Sequence, residues 1–335
     1  MTRIAVLGTG RIGKMHAENI AAHPRATLAG VYDIHAPAAA QVAQTLNVVQ
    51  FESAEAVLAS DRVDAVLIAT STPTHADLIE RAVAAGKAIL CEKPIDLSLA
   101  RVNACAVAIA GTALPIMLGF VRRFDSGHAG LRRAIEQGRI GDLHQVIITS
   151  RDPGMAPDTY IEVSGGIFRD MTIHDFDMAR FILGEEIEAV TATGSRLVDP
   201  DLMARCDDHD TVTVVMTTQS GKQAIISNSR RAVYGYDQRV EAFGSAGMAI
   251  SENRTMDQLR LYGAEFTDRA APLKNFFIDR YADAFAAEIG AFVDAVEQGS
   301  PVPVGFDDGR QALILAEAAI RSLREGRTVK TSEIG

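Results

Sequence analysis

The chain has 335 residues, with 33 basic against 43 acidic side chains and a formal net charge of −10. That length exceeds one ordinary core and predicts two domains, and the acidic balance argues against a nucleic-acid or anionic-membrane surface. Three widely spaced cysteines, Cys91, Cys105 and Cys206, with no Cys-x-x-Cys, argue against a disulfide framework or a zinc site and fit a reducing, cytoplasmic compartment.

The opening MTRIAVLGTG is too short and too glycine-interrupted for a signal peptide. Within it, Ile4–Leu7 is an apolar run that reads as a strand. GTGRIG, Gly8–Gly13, follows at once and opens a helical pattern through His23. Placed between strand and helix, this spacing is a dinucleotide fingerprint. Gly8 permits the tight turn, Gly10 lets the backbone approach a pyrophosphate, and Gly13 lets helix and strand pack closely. The helix N-terminus then faces the phosphates, so Gly8, Gly10, Arg11, Ile12 and Gly13 are assigned to the cofactor. Leu28–Tyr32 is a second strand that ends at Asp33, about 20 residues beyond the motif. A carboxylate there accepts bonds from ribose hydroxyls and repels the extra phosphate of NADP. The residues after it are Ile34 and His35, with no arginine, so the predicted cofactor is NAD.

A helix over Pro37–Leu46 precedes a third strand, Ala65–Ala69, and a helix over Thr74–Ala85 precedes a fourth, Ala88–Cys91. A helix over Leu97–Ala110 and a strand over Ile116–Phe120 follow. Near-continuous apolar strands joined by helices imply a parallel sheet covered on both faces. Two loops fall at strand C-terminal ends, where open α/β sheets bind ligands. From the first, Thr70, Thr72 and His75 are expected at the cofactor, although a histidine in a first helical turn is more often structural. From the second come Glu92, expected near the nicotinamide ribose, and Lys93. Lys93 sits on a loop stiffened by Pro94, at the edge of the expected nicotinamide pocket. An ammonium there can bind a substrate hydroxyl and stabilise oxyanion character; the plainer reading is a solvated surface charge. Ala104–Val121 carries no charge and is just long enough to raise a membrane span. It is alanine-rich and divided by Gly111 and Pro115, so a buried helix followed by a buried strand explains it better.

Beyond Gly119 the pattern changes. A helix over Gly130–Gln137 and a strand over Val146–Ser150 precede GGIFRDMTIHDFDMARFILG, Gly165–Gly184, which reads as one amphipathic helix. Strand-like runs at Ala189–Thr193, Thr211–Thr217, Gln223–Ser229 and Arg239–Phe243 then predict an open, largely antiparallel sheet. Helices over Phe276–Glu297 and Asp307–Arg324 close the chain. The expected fold class is α/β: a Rossmann NAD-binding domain over residues 1–120 and an α+β domain over 121–335.

On the Gly165–Gly184 helix, Asp170 and His174 lie one turn apart on one face. Alcohol oxidation by NAD requires a proton acceptor, and an imidazole suits that role. A carboxylate beside it would fix its tautomer and stabilise the imidazolium. The plainer alternatives are a first-turn acid favoured by the helix dipole and a satisfied core histidine. A lone Asp-x-x-x-His supplies only two ligands, which argues against a metal. Cys206–Asp210, CDDHD, also looks ligand-rich, but a solvated loop entering a strand explains it better.

Together, GTGRIG, STPTH, CEKP, GFVRRFD and the later Asp-x-x-x-His resemble the glucose–fructose oxidoreductase/inositol dehydrogenase family across essentially the whole chain. GFVRRFDSGH and YGYD, Tyr234–Asp237, are most similar to its inositol dehydrogenase branch. The resemblance implies a Rossmann domain joined to a substrate-binding domain whose open sheet builds a homotetramer, with the last helix packed back on the first domain. It implies Lys93, Asp170 and His174 as the catalytic set, Arg123 on a substrate hydroxyl, and Asp152 and Tyr236 lining the same pocket. The implied reaction is NAD-dependent oxidation of a ring hydroxyl of a cyclic polyol, myo-inositol to 2-keto-myo-inositol. SRDPGMAPDTYIEVSGGIF departs from the inositol enzymes at its polar positions, so scyllo-inositol or a glucose stereoisomer stays open as substrate. Two other classes stand beside this reading: an NAD-using glycoside hydrolase, and a non-catalytic sugar or NAD sensor, against which the intact Lys93, Asp170 and His174 argue.

Overall fold

A computed structural model describes residues 1–334 and divides the chain into two compact units. One is Met1–Val121 with Asp283–Leu313; the other is Arg122–Ala282 with the chain from Ile314 onward.

The first unit runs β1 (Thr2–Leu7), α1 (Arg11–Ala22), β2 (Ala26–Tyr32), α2 (Ala36–Leu46), α3 (Ala54–Ala59), β3 (Ala65–Ile68), α4 (His75–Ala84), β4 (Ala88–Cys91), α5 (Leu99–Ala108) and β5 (Ile116–Leu118). The strands pair in parallel in the order β2-β1-β3-β4-β5. Every residue of β3, β4 and β5 is buried, as a sheet covered on both faces requires. The order reverses beside β1, where the chain first runs out to β2 and then returns to β3. That reversal opens a crevice at the strand C-termini. The backbone ladder runs one residue past the strands there, through Gly8 N–H to Tyr32, Ala69 N–H to Leu7 and Glu92 N–H to Ile68. The loops that follow therefore start level along one edge of the sheet. The uncharged stretch over Ala104–Val121 divides into the end of α5 and β5, and no described helix is long and apolar enough to cross a membrane.

The second unit runs α6 (Ser126–Glu136), β6 (Leu143–Arg151), α7 (Asp158–Ile161), α8 (Ile167–Asp170), α9 (Ile173–Leu183), β7 (Ile187–Ser195), α10 (Pro200–Arg205), β8 (Thr211–Thr218), β9 (Gln223–Ser229), β10 (Asp237–Gly244), β11 (Gly247–Ser251), β12 (Arg260–Gly263), β13 (Phe266–Ala270) and α11 (Phe277–Arg280). After it come α12 (Ala282–Gln298), α13 (Phe306–Glu325) and β14 (Val329–Lys330). Seven strands pair in the order β11-β10-β6-β9-β8-β7-β14. All the pairs are antiparallel except β6 with β9. This is the predicted Rossmann domain followed by a mixed, largely antiparallel α+β sheet. In β8, Val212, Val214 and Met216 are buried while Thr213 and Val215 are exposed, so one face of that strand carries the core and α9 packs against β6 and β9.

Two of the long predicted helices are broken. Phe276–Glu297 divides at Tyr281 into α11 and α12. Gly165–Gly184 divides after Asp170: Thr172 N–H reaches back five residues to Ile167 O at 2.9 Å, and α9 starts anew at Ile173. Met171 and Thr172 keep right-handed helical angles, so the interruption is one wide turn of the π type, which is common at functional sites. The β12–β13 hairpin was not foreseen, because β12 is wholly exposed and carries no alternation of buried and open positions.

Candidate active site

In the first unit the glycine loop has the sterics its spacing predicts. Gly8 has a φ of +91°, and a Cβ on it would stand 2.4 Å from the Ala69 carbonyl oxygen. A Cβ on Gly13 would stand 1.9 Å from the Gly8 carbonyl oxygen. Gly10 differs: a Cβ there meets nothing within 4 Å. It is also the N-cap of α1 and makes no side-chain cap bond to that helix. Open space before a helix N-terminus is what a pyrophosphate fills. Gly10→Ala should therefore keep a Tm within ~2 °C of the parent while weakening NAD binding at least ~10-fold, about 1.4 kcal/mol. Gly13→Ala should lower both, since backbone must move to admit its Cβ. Thermal melts and NAD titration separate the two.

Asp33 stands at the end of β2. Its carboxylate accepts from Thr9 N–H at 2.6 Å, Thr9 Oγ1 at 3.1 Å and His35 N–H at 2.8 Å. Burial pushes this carboxyl up, but the bonds from Thr9 and His35 outweigh it and hold the group below its ordinary value. The carboxylate is thus fixed beside the glycine loop with lone pairs to spare for ribose hydroxyls. The residues present fit a nicotinamide dinucleotide.

Thr70 and Thr72 are half-buried on the loop after β3, and the Thr70 and Thr74 hydroxyls bond at 2.7 Å. His75 is buried, with Nδ1 on the Pro94 carbonyl at 2.8 Å and Nε2 on the Thr70 carbonyl at 3.0 Å. Its ring ties the loops after β3 and β4 together, so it sets the position of what those loops present. Arg11 is exposed, and Ile12 and Lys93 are half-buried. Glu92 bonds through Oε1 to His16 Nε2 at 2.8 Å, a partner that spacing alone does not reveal.

In the second unit, His174 is the one residue from Met171 to Arg180 that is not buried. Asp170, at the end of α8, accepts from the Tyr160 hydroxyl at 2.7 Å through Oδ1 and from Arg230 Nη1 at 3.1 Å through Oδ2. Neither end of that network was anticipated.

Asp152, just past β6, has its carboxyl pushed up to about 6 by burial; Arg122 and Arg230 oppose the shift, and Asp170 and Asp175 add to it. Tyr236 is buried, its ring edge-on to Tyr281 at 6.2 Å, and burial raises its phenol. The adjacent arginines of GFVRRF take different partners. Arg123 makes a two-pronged pair with Asp177 at 2.5 and 2.8 Å. Arg122 donates to Asp175 at 2.6 Å and Ser150 at 2.9 Å, and it is the one whose charge is felt by Asp152 and Tyr236. The structure therefore gathers Arg122, Asp152, Asp170 and Tyr236 into one electrostatic neighbourhood. Sequence reasoning missed Arg122: both side chains are largely buried, and nothing in a doublet says which of the two acts on Asp152.

The acidic segment after Cys206 is only partly solvated: Asp207 is exposed, but two of its acids are not. Asp210 is fully buried and accepts from Leu197, Val198 and Asp199 N–H groups at 2.8–3.1 Å. Asp208 is buried against Arg230. Their partners lie far along the chain, which is why local polarity misled.

A glycine-rich turn at the switch point of a parallel sheet, with a fixed carboxylate at the second strand end, defines a nicotinamide-dinucleotide-binding oxidoreductase. Residues 2–120 match the family described as oxidoreductase family, NAD-binding Rossmann fold, and residues 128–250 match the GFO/IDH/MocA C-terminal domain. The chain belongs to the GFO/IDH/MocA oxidoreductase family, and its cofactor is NAD. It is 49% identical over 327 residues to an inositol 2-dehydrogenase of Rhizobium meliloti, covering 98% of each chain. A crystal structure of a myo-inositol dehydrogenase from Corynebacterium glutamicum superposes with a TM-score of 0.95 at 44% identity, covering 98% of both chains. A scyllo-inositol dehydrogenase from Lactobacillus casei, solved with NAD(H) and scyllo-inositol bound, superposes with a TM-score of 0.91 at 29% identity, covering 99% of both.

Proposed function

We propose that the protein is an NAD-dependent dehydrogenase that oxidises one ring hydroxyl of a cyclic polyol, with myo-inositol going to 2-keto-myo-inositol. The observation that carries this reading is Asp170, fixed through both carboxylate oxygens, four residues before a histidine that is only half-buried in an otherwise buried helix start. Lys93 polarises the reacting hydroxyl oxygen, His174 takes its proton, and Asp170 orients and stabilises the imidazolium. NAD supplies the hydride acceptor. Arg123, Asp152 and Tyr236 read the remaining hydroxyls, and Arg122 joins them on the electrostatics above. Residues 1–120 serve as the NAD-binding domain and 121–335 as the substrate-binding and oligomerisation domain, except that 283–313 return to the first compact unit. Gly8, Gly10, Arg11, Ile12, Gly13, Asp33, Thr70, Thr72, His75, Glu92 and Lys93 hold or frame the cofactor.

The names of the relatives support inositol as substrate, and the Lactobacillus casei relative supports scyllo-inositol as a second one. We further propose a cytoplasmic homotetramer. Exposed Val215, Phe243, Met248 and Ile250 on β8, β10 and β11 supply apolar surface for its contacts. Light scattering should then give about four times 35.9 kDa.

The test is a panel of myo-inositol, scyllo-inositol, glucose and its stereoisomers with NAD or NADP, following nicotinamide reduction. An inositol should exceed every aldose in kcat/KM by ~10-fold or more, with NAD preferred. Turnover of aldoses alone would overturn the substrate, and glycoside cleavage without net NAD reduction would overturn the reaction.

A further inference from the structure

Asp170 is held from two sides by elements that its own helix does not contain. Tyr160 comes from α7 and Arg230 from the chain just beyond β9. Arg230 is only 2% exposed and divides its guanidinium between two carboxylates: Nη1 donates to Asp170 at 3.1 Å and Nη2 to Asp208 at 3.2 Å. Asp208 in turn accepts the N–H of Ile167, the first residue of α8, through its other oxygen at 2.9 Å. Asp208 and Arg230 thus span α8 from its first residue to its last. Gly166, at the entry to α8, has a φ of +86°, and a Cβ on it would stand 3.0 Å from the Asp208 carboxylate. This network ends on the carboxylate that precedes the wide turn at Met171–Thr172.

A guanidinium buried between two carboxylates costs desolvation that a surface pair would not. Such an arrangement restricts Asp170 to one orientation and sets a cation against its charge. Dyad chemistry tolerates only ~0.5 Å of misplacement, so an acid at the end of a four-residue helix needs support from outside it.

We propose that Tyr160 and Arg230 are positioning residues of the dehydrogenation, acting through Asp170, with Asp208 fixing Arg230. The inference rests on the reading of Asp170 and His174 given above. Tyr160→Phe removes only one hydroxyl from a residue that is 47% exposed, so its fold is expected to hold. Its kcat on myo-inositol should fall ~10-fold, the worth of one hydrogen bond to a charged group. The polyol KM and the NAD Kd should stay within ~2-fold, since neither ligand loses a contact. Arg230→Lys should retain more activity than Arg230→Met. In an Asp170→Asn background the Tyr160→Phe change should have no further effect, because its target is gone. Effects on kcat that simply add in the double variant, or an unchanged kcat in Tyr160→Phe while Asp170→Asn is impaired, would overturn the inference and leave the dyad standing. Full turnover in Asp170→Asn alone would remove the dyad, and this inference with it.

Discussion

His174→Ala and Lys93→Met should each lower kcat on myo-inositol by about three orders of magnitude, while the NAD Kd stays within ~3-fold. Loss of a general base costs ~10²–10⁴-fold, and loss of a charge that stabilises the developing oxyanion costs a similar factor. At ~1.4 kcal/mol per decade the expected loss is ~4 kcal/mol of transition-state stabilisation. Both side chains are partly exposed rather than core, so the melting temperature should barely move, which separates a chemical loss from a folding one. A deuterium label on the reacting carbon adds a second readout. In both variants the chemical step becomes limiting, so the isotope effect on kcat should rise to its full value. Parent-like turnover in His174→Ala would sink the assignment of the proton acceptor.

The parts of this site that were legible in the sequence are those set by short-range sterics. Gly8 and Gly13 are dictated by backbone atoms that a Cβ would strike, and those contacts follow wherever a strand turns directly into a helix. Asp33 was legible because its position relative to the motif fixes where β2 must end. The supporting residues were not. Arg230 and Asp170 are 60 residues apart, and Arg230 and Asp208 are 22 apart. Their meeting depends on how β8 and β9 bring distant loops together, which no local period records. The same reasoning covers Arg122 and Arg123. A doublet at a strand end fixes that two cations are present, while Asp175 and Asp177 on α9 decide which partner each takes. The wide turn after Asp170 escaped the periodic reading because one extra residue shifts the helical phase without breaking the apolar pattern.

The second large effect belongs to a group outside the proposed chemistry. Glu288, on α12 in the first unit, is fully buried, and neither carboxyl oxygen has a hydrogen-bond partner among the described residues. Burial pushes its carboxyl well above the ordinary glutamate value, and the nearby Glu92 carboxylate adds to the shift. Glu92 is itself bonded to the buried His16, whose ring lies edge-on to Phe285 at 5.5 Å. The folded protein thus keeps a proton on Glu288 that the unfolded chain releases near pH ~4.3. The stability this contributes is complete below that value and is lost as pH rises toward the raised folded value, at up to ~1.4 kcal/mol per pH unit. Glu288→Gln keeps the shape and removes the titration. The parent's Tm should therefore fall more steeply than the variant's as pH rises above ~6, by up to ~1.4 kcal/mol or ~2 °C per pH unit for a chain of this length. Asp152, pushed up to about 6, contributes with the same sign in both proteins and cancels in the difference. Melting curves over the pH series check this directly, and parallel profiles for the two proteins would mean that Glu288 carries no proton in the fold.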